Sequence, residues 1–246
     1  MTRAVKLAAL ALAVPVVLSA CQAARPEAKG TTMPNDTPSA SAPASRDPAA
    51  DAALLAAART GDADAVRTAL DRGARVDTRD THRRTALVVA ANGDHVAAAR
   101  VLVAAGADPD AQDDRRDSAF LVTGVTGSVA MLDALLPAHP DTTVTNRYGG
   151  VAVIPASERG HADYVEAVLT RTDIDVNHVN DLGWTALLEA VVLGDGGAAH
   201  QRVVRSLVAH GADVNLADRD GVTPLRHAVD RGQDEVADVL RAAGAR

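Results

Sequence analysis

The feature that most constrains the fold of this chain is a repeat with a period of about 33 residues. The positions equivalent to Thr223 are spaced by 33, 33, 33, 34 and 38 residues, and they are Ala52, Thr85, Ser118, Val151, Thr185 and Thr223; the first unit has no capping Thr and starts at Asp47-Pro48 instead. A constant period of this length is typical of stacked units that cannot bury their apolar faces alone. Only 2% of the residues are aromatic, which suits thin layers of closely packed helices better than one thick core.

Each unit has the same internal pattern of two short helices. In the best-preserved copy, Thr223 can cap the first helix, and Pro224 occupies the first helical position, where a missing N–H costs nothing. Gly232 then ends that helix. A second helix closes at a Gly-Ala pair such as Gly211-Ala212, and a polar turn leads into the next unit.

Three segments carry a family resemblance: Asp220–Ala228 (DGVTPLRHA), Gly183–Leu187 (GWTAL) and Gly211–Asn215 (GADVN). They resemble the opening and closing motifs of the ankyrin repeat, and the resemblance covers about residues 51–246. It implies an all-α ankyrin-repeat solenoid of about six helix-turn-helix units with hairpin-like turns, in a domain spanning 48–246. It also implies a non-enzymatic module that binds another protein through its concave face and turn tips.

The middle units depart from the pattern. Gly124, inside the first helix of unit three, predicts a shortened or loosened helix. Val151 has no hydroxyl for capping, and Pro155 falls in the first turn of its helix. The five extra residues Asp195–Ala199 of unit five are expected to lengthen a loop.

The N-terminus predicts export. Residues 1–20 have the signal-peptide layout, with Arg3 and Lys6 before an apolar run that is too short to span a membrane. Leu18–Cys21 (LSAC) resembles the bacterial lipoprotein box, which implies lipid attachment at Cys21; the alternative is an ordinary cleavage site. Residues 21–47 are rich in Pro, Ala and Ser and predict a disordered tether. We expect a lipid anchor at the periplasmic side of a membrane or the outer face of the plasma membrane.

No motif in the chain predicts catalysis, a metal site or a cofactor. The net charge is −7, and the absence of a basic stripe disfavours nucleic-acid binding. The single cysteine excludes a disulfide framework. No two histidines have the i, i+4 spacing of a helical metal pair. His95, His161 and His200 stand at or beside the G-H position between the helices, where an imidazole is expected to serve the local turn.

The turn tips are where partner contacts are expected. They carry arginine, tyrosine and tryptophan, the residue types most often found as binding hot spots. The candidate partner-binding residues are Arg79, His82, Arg83, Arg84, Arg115, Arg116, Arg147, Tyr148, Asp181, Trp184 and Arg219. The arginine-rich tips contrast with the acidic whole and predict an acidic patch on the partner. Trp184 has an alternative role in packing against a neighbouring turn.

Three functional interpretations follow. The first is a monomeric module, anchored in the membrane only through its lipid, that binds an envelope or periplasmic protein. The second is a structural envelope protein. The third is a ligand-binding or enzymatic site at the irregular centre, around Gly124, Tyr148 and Pro155, or in the Asp195–Ala199 loop. A deep polar pocket there would favour the third interpretation.

Overall fold

The computed structural model describes residues 47–246, in which twelve α-helices form six consecutive pairs. The pairs are α1 (Pro48–Thr60) and α2 (Ala63–Asp71), α3 (Ala86–Asn92) and α4 (Val96–Ala104), α5 (Ala119–Thr126) and α6 (Val129–Leu135), α7 (Val153–Glu158) and α8 (Ala162–Arg171), α9 (Ala186–Val192) and α10 (Ala198–Ala209), and α11 (Pro224–Asp230) and α12 (Asp234–Ala242). The prediction of six all-α repeat units is confirmed. The predicted signal peptide, Cys21 and the tether up to residue 46 lie outside the described residues.

None of the helices between residues 47 and 246 has the length and apolar character needed to cross a membrane.

Four of the six first helices begin where the sequence predicts because hydroxyl groups cap them. Each capping oxygen accepts a hydrogen bond of 3.2 or 3.3 Å from the backbone N–H three residues on, and the capping residues are Thr85, Ser118, Thr185 and Thr223. Such a cap contributes about 1 kcal/mol. In unit four Ala152 is the N-cap and makes no side-chain bond, and α7 has only six residues. The sequence predicts that Val151 provides no side-chain cap, and the helix of unit four is indeed uncapped and short.

A repeated side-chain bond joins successive units at the ends of their first helices. The Nε2 atom of each imidazole lies 3.0–3.2 Å from a carbonyl oxygen of the preceding unit, pairing His95 with Arg59, His161 with Val125 and His200 with Glu158. In unit six Gln233 replaces the histidine and donates to the Val191 carbonyl at 3.0 Å. These imidazoles were predicted to serve the local turn, but they bond across the boundary between units.

Gly124 packs two units together instead of loosening a helix. Helix α5 has eight residues, one more than α3, so the prediction of a shortened helix is wrong. A Cβ atom on Gly124 would lie 2.0 Å from the carbonyl oxygen of Ala152. The missing side chain lets the backbone at the start of α7 approach α5 directly.

The insertion in unit five lengthens a helix as well as a loop. Helix α10 has 12 residues, whereas α4 has nine. Ala198 and Ala199 form its first turn, which agrees with the high helix propensity of alanine. Only Asp195–Gly197 of the predicted loop remain outside the helix, and the Asp195 carboxylate lies 2.8 Å from His200 Nδ1.

Candidate functional site

The turn tips are fixed by a repeated side-chain closure. In each, an Asp or Asn oxygen accepts hydrogen bonds from the backbone N–H groups two and four residues on. The closing residues are Asp80, Asp113, Asn146, Asn180 and Asp218. Asp and Asn favour turns because of such local bonds. The tips therefore present their outer side chains from an ordered backbone.

Carboxylates oppose the arginines of the first two tips. The ion pairs join Arg84 to Asp80 at 2.7 Å, Arg115 to Asp117 at 3.3 Å and Arg83 to Asp114 at 3.9 Å. The Arg83 and Arg115 side chains are well exposed and their pairs contribute little to stability, whereas the Asp80 side chain is only 9% exposed and is bonded by Arg84 through two guanidinium nitrogens. The arginines predicted to form a basic surface therefore lie among acids, although Arg116 and His82 are exposed at the same tips.

Two other predicted contact residues hold neighbouring tips together. The Arg79 guanidinium donates to the carbonyl oxygen of Gln112 at 2.6 Å. Arg219 donates to the carbonyl oxygen of Asp181, and its side chain lies over Gly183. Both arginines therefore act within the protein, a role that the turn sequences alone did not indicate.

A cavity of about 190 Å³ lies between the tips of units four and five and the first helices α7 and α9. Three of its lining residues are large apolar side chains that are at least half exposed: Tyr148 at 52%, Leu182 at 52% and Leu193 at 50%. Drug-sized ligands occupy pockets of roughly 300–1,000 Å³. This cavity has the size of a single side chain or a similarly small group.

Glu189 is the buried acid of this cavity. It is 6% exposed, and its Oε1 atom accepts a hydrogen bond of 2.8 Å from the Asn180 side-chain amide. Burial raises the pKa of Glu189 to about 7, and repulsion from Glu158 contributes. In unit six the matching positions hold Asp218 and His227, which are 2.7 Å apart. The acid is thus on the tip in unit six and on the helix in unit five.

Only some residues of this site could be predicted from the sequence. Tyr148 and Pro155 line the cavity, as the third interpretation expected, whereas Gly124 packs against Ala152. The guanidinium of Arg147 lies 4.7 Å from the centre of the Tyr148 ring. Trp184 is half-buried. Leu182, Leu193 and Glu189 were missed as site residues; the available signal was Glu189 at the helix position that His227 occupies in unit six.

A wider groove of about 640 Å³ lies between α2 and α4. Its lining consists of four alanines, Leu70, Val101 and the charged residues Arg67, Asp71 and Arg100. Unlike the cavity at the tips, this groove is lined by none of the exposed large apolar side chains of residues 47–246. Within residues 47–246 no group of three or more His, Cys, Asp or Glu side chains could hold a metal ion.

Comparisons with known proteins agree with this architecture. A family model described as ankyrin repeats in three copies matches residues 37–113 and 122–218, and a second ankyrin repeat model matches residues 197–241. The chain therefore belongs to the ankyrin repeat family. Ankyrin repeat domains generally bind other proteins and are generally non-enzymatic.

The chain is similar to particular ankyrin repeat proteins in sequence and in structure. The chain is similar to the putative ankyrin repeat protein YahD of Escherichia coli K12, with 48% identity over 117 residues, which are 48% of this chain and 58% of YahD. The chain spans 58% or less of the length of each curated relative that it matches. An ankyrin repeat domain from Acinetobacter baumannii AYE has a TM-score of 0.75 and 44% identity, covering 78% of this chain and 98% of that domain. The ankyrin repeat domain of Bcl-3, a member of the IκB protein family, has a TM-score of 0.70 and 28% identity, covering 79% and 86%.

Proposed function

We propose that this ankyrin repeat protein is a non-enzymatic module that binds a protein partner at the tips of units four and five. The observation that carries the proposal is the group of exposed apolar side chains, Tyr148, Leu182 and Leu193, around one cavity. Exposed apolar groups that surround a pocket are typical of interaction sites. Because hydrogen bonds already fix the tips, little ordering free energy opposes binding.

Affinity capture from membrane extracts tests this proposal. The native chain and an unanchored Cys21→Ser variant are each expected to recover the same partner in a stoichiometric amount, because the tip site is independent of the anchor. Recovery of no stoichiometric partner by either form would contradict binding and favour a structural envelope protein.

The exposed arginines of the first two tips support a second, weaker contact with an acidic patch on the partner. Nearby carboxylates reduce their effect, and exposed charges of this kind change mainly the rate of encounter rather than the final affinity. Changing the exposed Arg83, Arg115 and Arg116 together to Glu is expected to slow association about 3- to 10-fold at low salt. Stopped-flow association at rising ionic strength measures this, and equal rates for both proteins at low salt would contradict it.

We also propose export and lipid anchoring through Cys21, so that the partner is an envelope or periplasmic protein. The proposal is supported by the charged, apolar and small-residue layout of residues 1–20 and by the LSAC segment that ends at Cys21. The Pro-rich segment up to Asp47 would hold the repeats away from the bilayer. The membrane is then contacted only through the lipid.

Changing Cys21→Ser is expected to move the protein from the membrane fraction to the soluble fraction, because a thioether to lipid requires the thiol. Cell fractionation and the mass of the N-terminal peptide measure the change. Ala23→Ser alters a residue near the lipidated position and is the matched control, which should remain in the membrane fraction. Native protein without lipid mass, or Cys21→Ser protein still in the membrane fraction, would contradict the anchor.

A further inference from the structure

The cavity between the tips of units four and five combines two acids with apolar walls. Glu158 and Glu189 both line it, and the described residues that line it include no Lys, Arg or His. The Oε1 atom of Glu189 is bonded to Asn180. Its Oε2 atom accepts none of the hydrogen bonds found among residues 47–246, and it is not fully buried. The cavity therefore offers a carboxylate oxygen to an incoming group.

The apolar walls suit a particular kind of side chain. Tyr148, Leu182 and Leu193 surround the acids with half-exposed apolar surface. Lysine and arginine have long apolar stems that pack on such surface and carry a charged head beyond it. Tyrosine faces also attract cations, and the ring of Tyr148 already has the Arg147 guanidinium at 4.7 Å.

We propose that this cavity receives a lysine or arginine side chain of the protein partner. Its cationic head pairs with Glu189 and Glu158, and its stem lies against Tyr148, Leu182 and Leu193. The inference rests on the proposed function and deepens it by naming the partner chemistry at the site. Two acids close together in a partly buried site repel each other, and a cation between them relieves that repulsion.

The same geometry makes binding depend on pH. The pKa of Glu189 is raised to about 7 by burial and by Glu158, and a bound cation favours its charged form. From pH 6 to pH 8 the ionised fraction of such a group rises about tenfold, so affinity is expected to rise about tenfold. The other titratable and charged groups around the cavity are Glu158 on α7, Tyr148 on tip four with Arg147 over its ring, His178 and Asp181 near tip five with Arg219 bonded to the Asp181 carbonyl, and the Asp218–His227 pair on the α11 side.

Small probes test the cavity without the partner. The full chain in detergent, labelled with ¹⁵N, is titrated with Nα-acetyl-arginine methylamide and Nα-acetyl-lysine methylamide; the neutral isostere is Nα-acetyl-citrulline methylamide. The Asn180 side-chain amide, which donates to Glu189, is the reporter. We expect both cationic amides to shift this signal, with at least fivefold weaker binding of the citrulline amide.

Variants separate the charge from the shape of the site. Glu189→Gln keeps an amide oxygen for Asn180 and is expected to weaken the cationic amides at least fivefold at pH 8 and to flatten the pH dependence. Glu235→Gln, at an exposed position of α12, removes an equal charge elsewhere and should change neither the affinity nor its pH dependence. Equal binding of the arginine and citrulline amides would overturn the inference, as would unchanged affinity or pH dependence in Glu189→Gln.

The two proposals fail in different ways. A captured partner whose affinity is unaffected by Glu189→Gln would leave the binding function standing and overturn the cation site. Cationic amides that bind with the expected pH dependence, while capture recovers no partner, would uphold the site chemistry and overturn the proposed function.

Discussion

Replacing Gly124 by Ala is expected to destabilise the protein by about 1–3 kcal/mol, although the same change inside an ordinary helix stabilises by about 1 kcal/mol. The reason is a backbone contact. The new Cβ atom would lie 2.0 Å from the carbonyl oxygen of Ala152 and 2.8 Å from its carbonyl carbon. Backbone atoms cannot rotate away, so the start of α7 would have to move away from α5.

Urea denaturation followed by far-ultraviolet circular dichroism measures the effect, and hydrogen exchange locates it. The added instability should concentrate in units three and four, because repeat units are stabilised mainly by their neighbours. Gly150→Ala is the matched control: a Cβ atom there would meet nothing closer than the Asn146 side chain, at 3.6 Å. An unfolding midpoint for Gly124→Ala at or above that of the native protein would contradict the close approach of α5 and α7.

Changing Tyr148→Ala and Leu182→Ala together is expected to weaken partner binding at least 30-fold, because truncating one binding hot spot costs about 2 kcal/mol or more. Both side chains are 52% exposed, so their truncation removes contact surface without opening the core. The dissociation constant for the captured partner measures the loss, which should lie mostly in a faster dissociation rate.

The control for this variant is Val229→Ala, which truncates an apolar side chain of similar exposure, 46%, on α11 and outside the cavity. It should bind within about twofold of the native protein, since most interface-distant residues contribute little. Both variants should have the same urea unfolding midpoint as the native protein. Native affinity in the Tyr148 and Leu182 double variant would place the partner elsewhere.

The sequence was sufficient to predict the fold because its signals are local and repeated. A hydroxyl at Thr85, Ser118, Thr185 or Thr223 caps the helix that follows it, whatever the rest of the chain does. The 33-residue period then requires the units to stack. The same local rule predicts that the helix after Val151 has no side-chain cap, because valine has no hydroxyl group.

One error concerned a contact between residues far apart in the chain, and the other concerned local helix propensity. By propensity alone, Gly124 weakens a helix, and only the position of Ala152 reveals its packing role. The insertion of unit five was interpreted as loop, yet Ala198 and Ala199 could extend α10 because alanine favours helix.

The candidate site was predictable in location but not in composition. Tyr148 was identified because aromatic residues are scarce and it lies at a tip. The exposure of Leu182 and Leu193 and the burial of Glu189 depend on how units four and five meet. The carboxylates that oppose the arginines could not be assigned either, because some come from the next tip, as Asp114 does for Arg83.

Site-specific photo-crosslinking in intact cells tests the location of the binding surface most directly. A benzophenone amino acid is placed at Tyr148 or Leu182, and at Ala97 in the groove between α2 and α4 as the control. If the tips of units four and five bind the partner, positions 148 and 182 should each give the same discrete adduct, and position 97 should give none. Adducts from position 97 alone, or equal adducts from all three positions, would contradict a partner site at these tips.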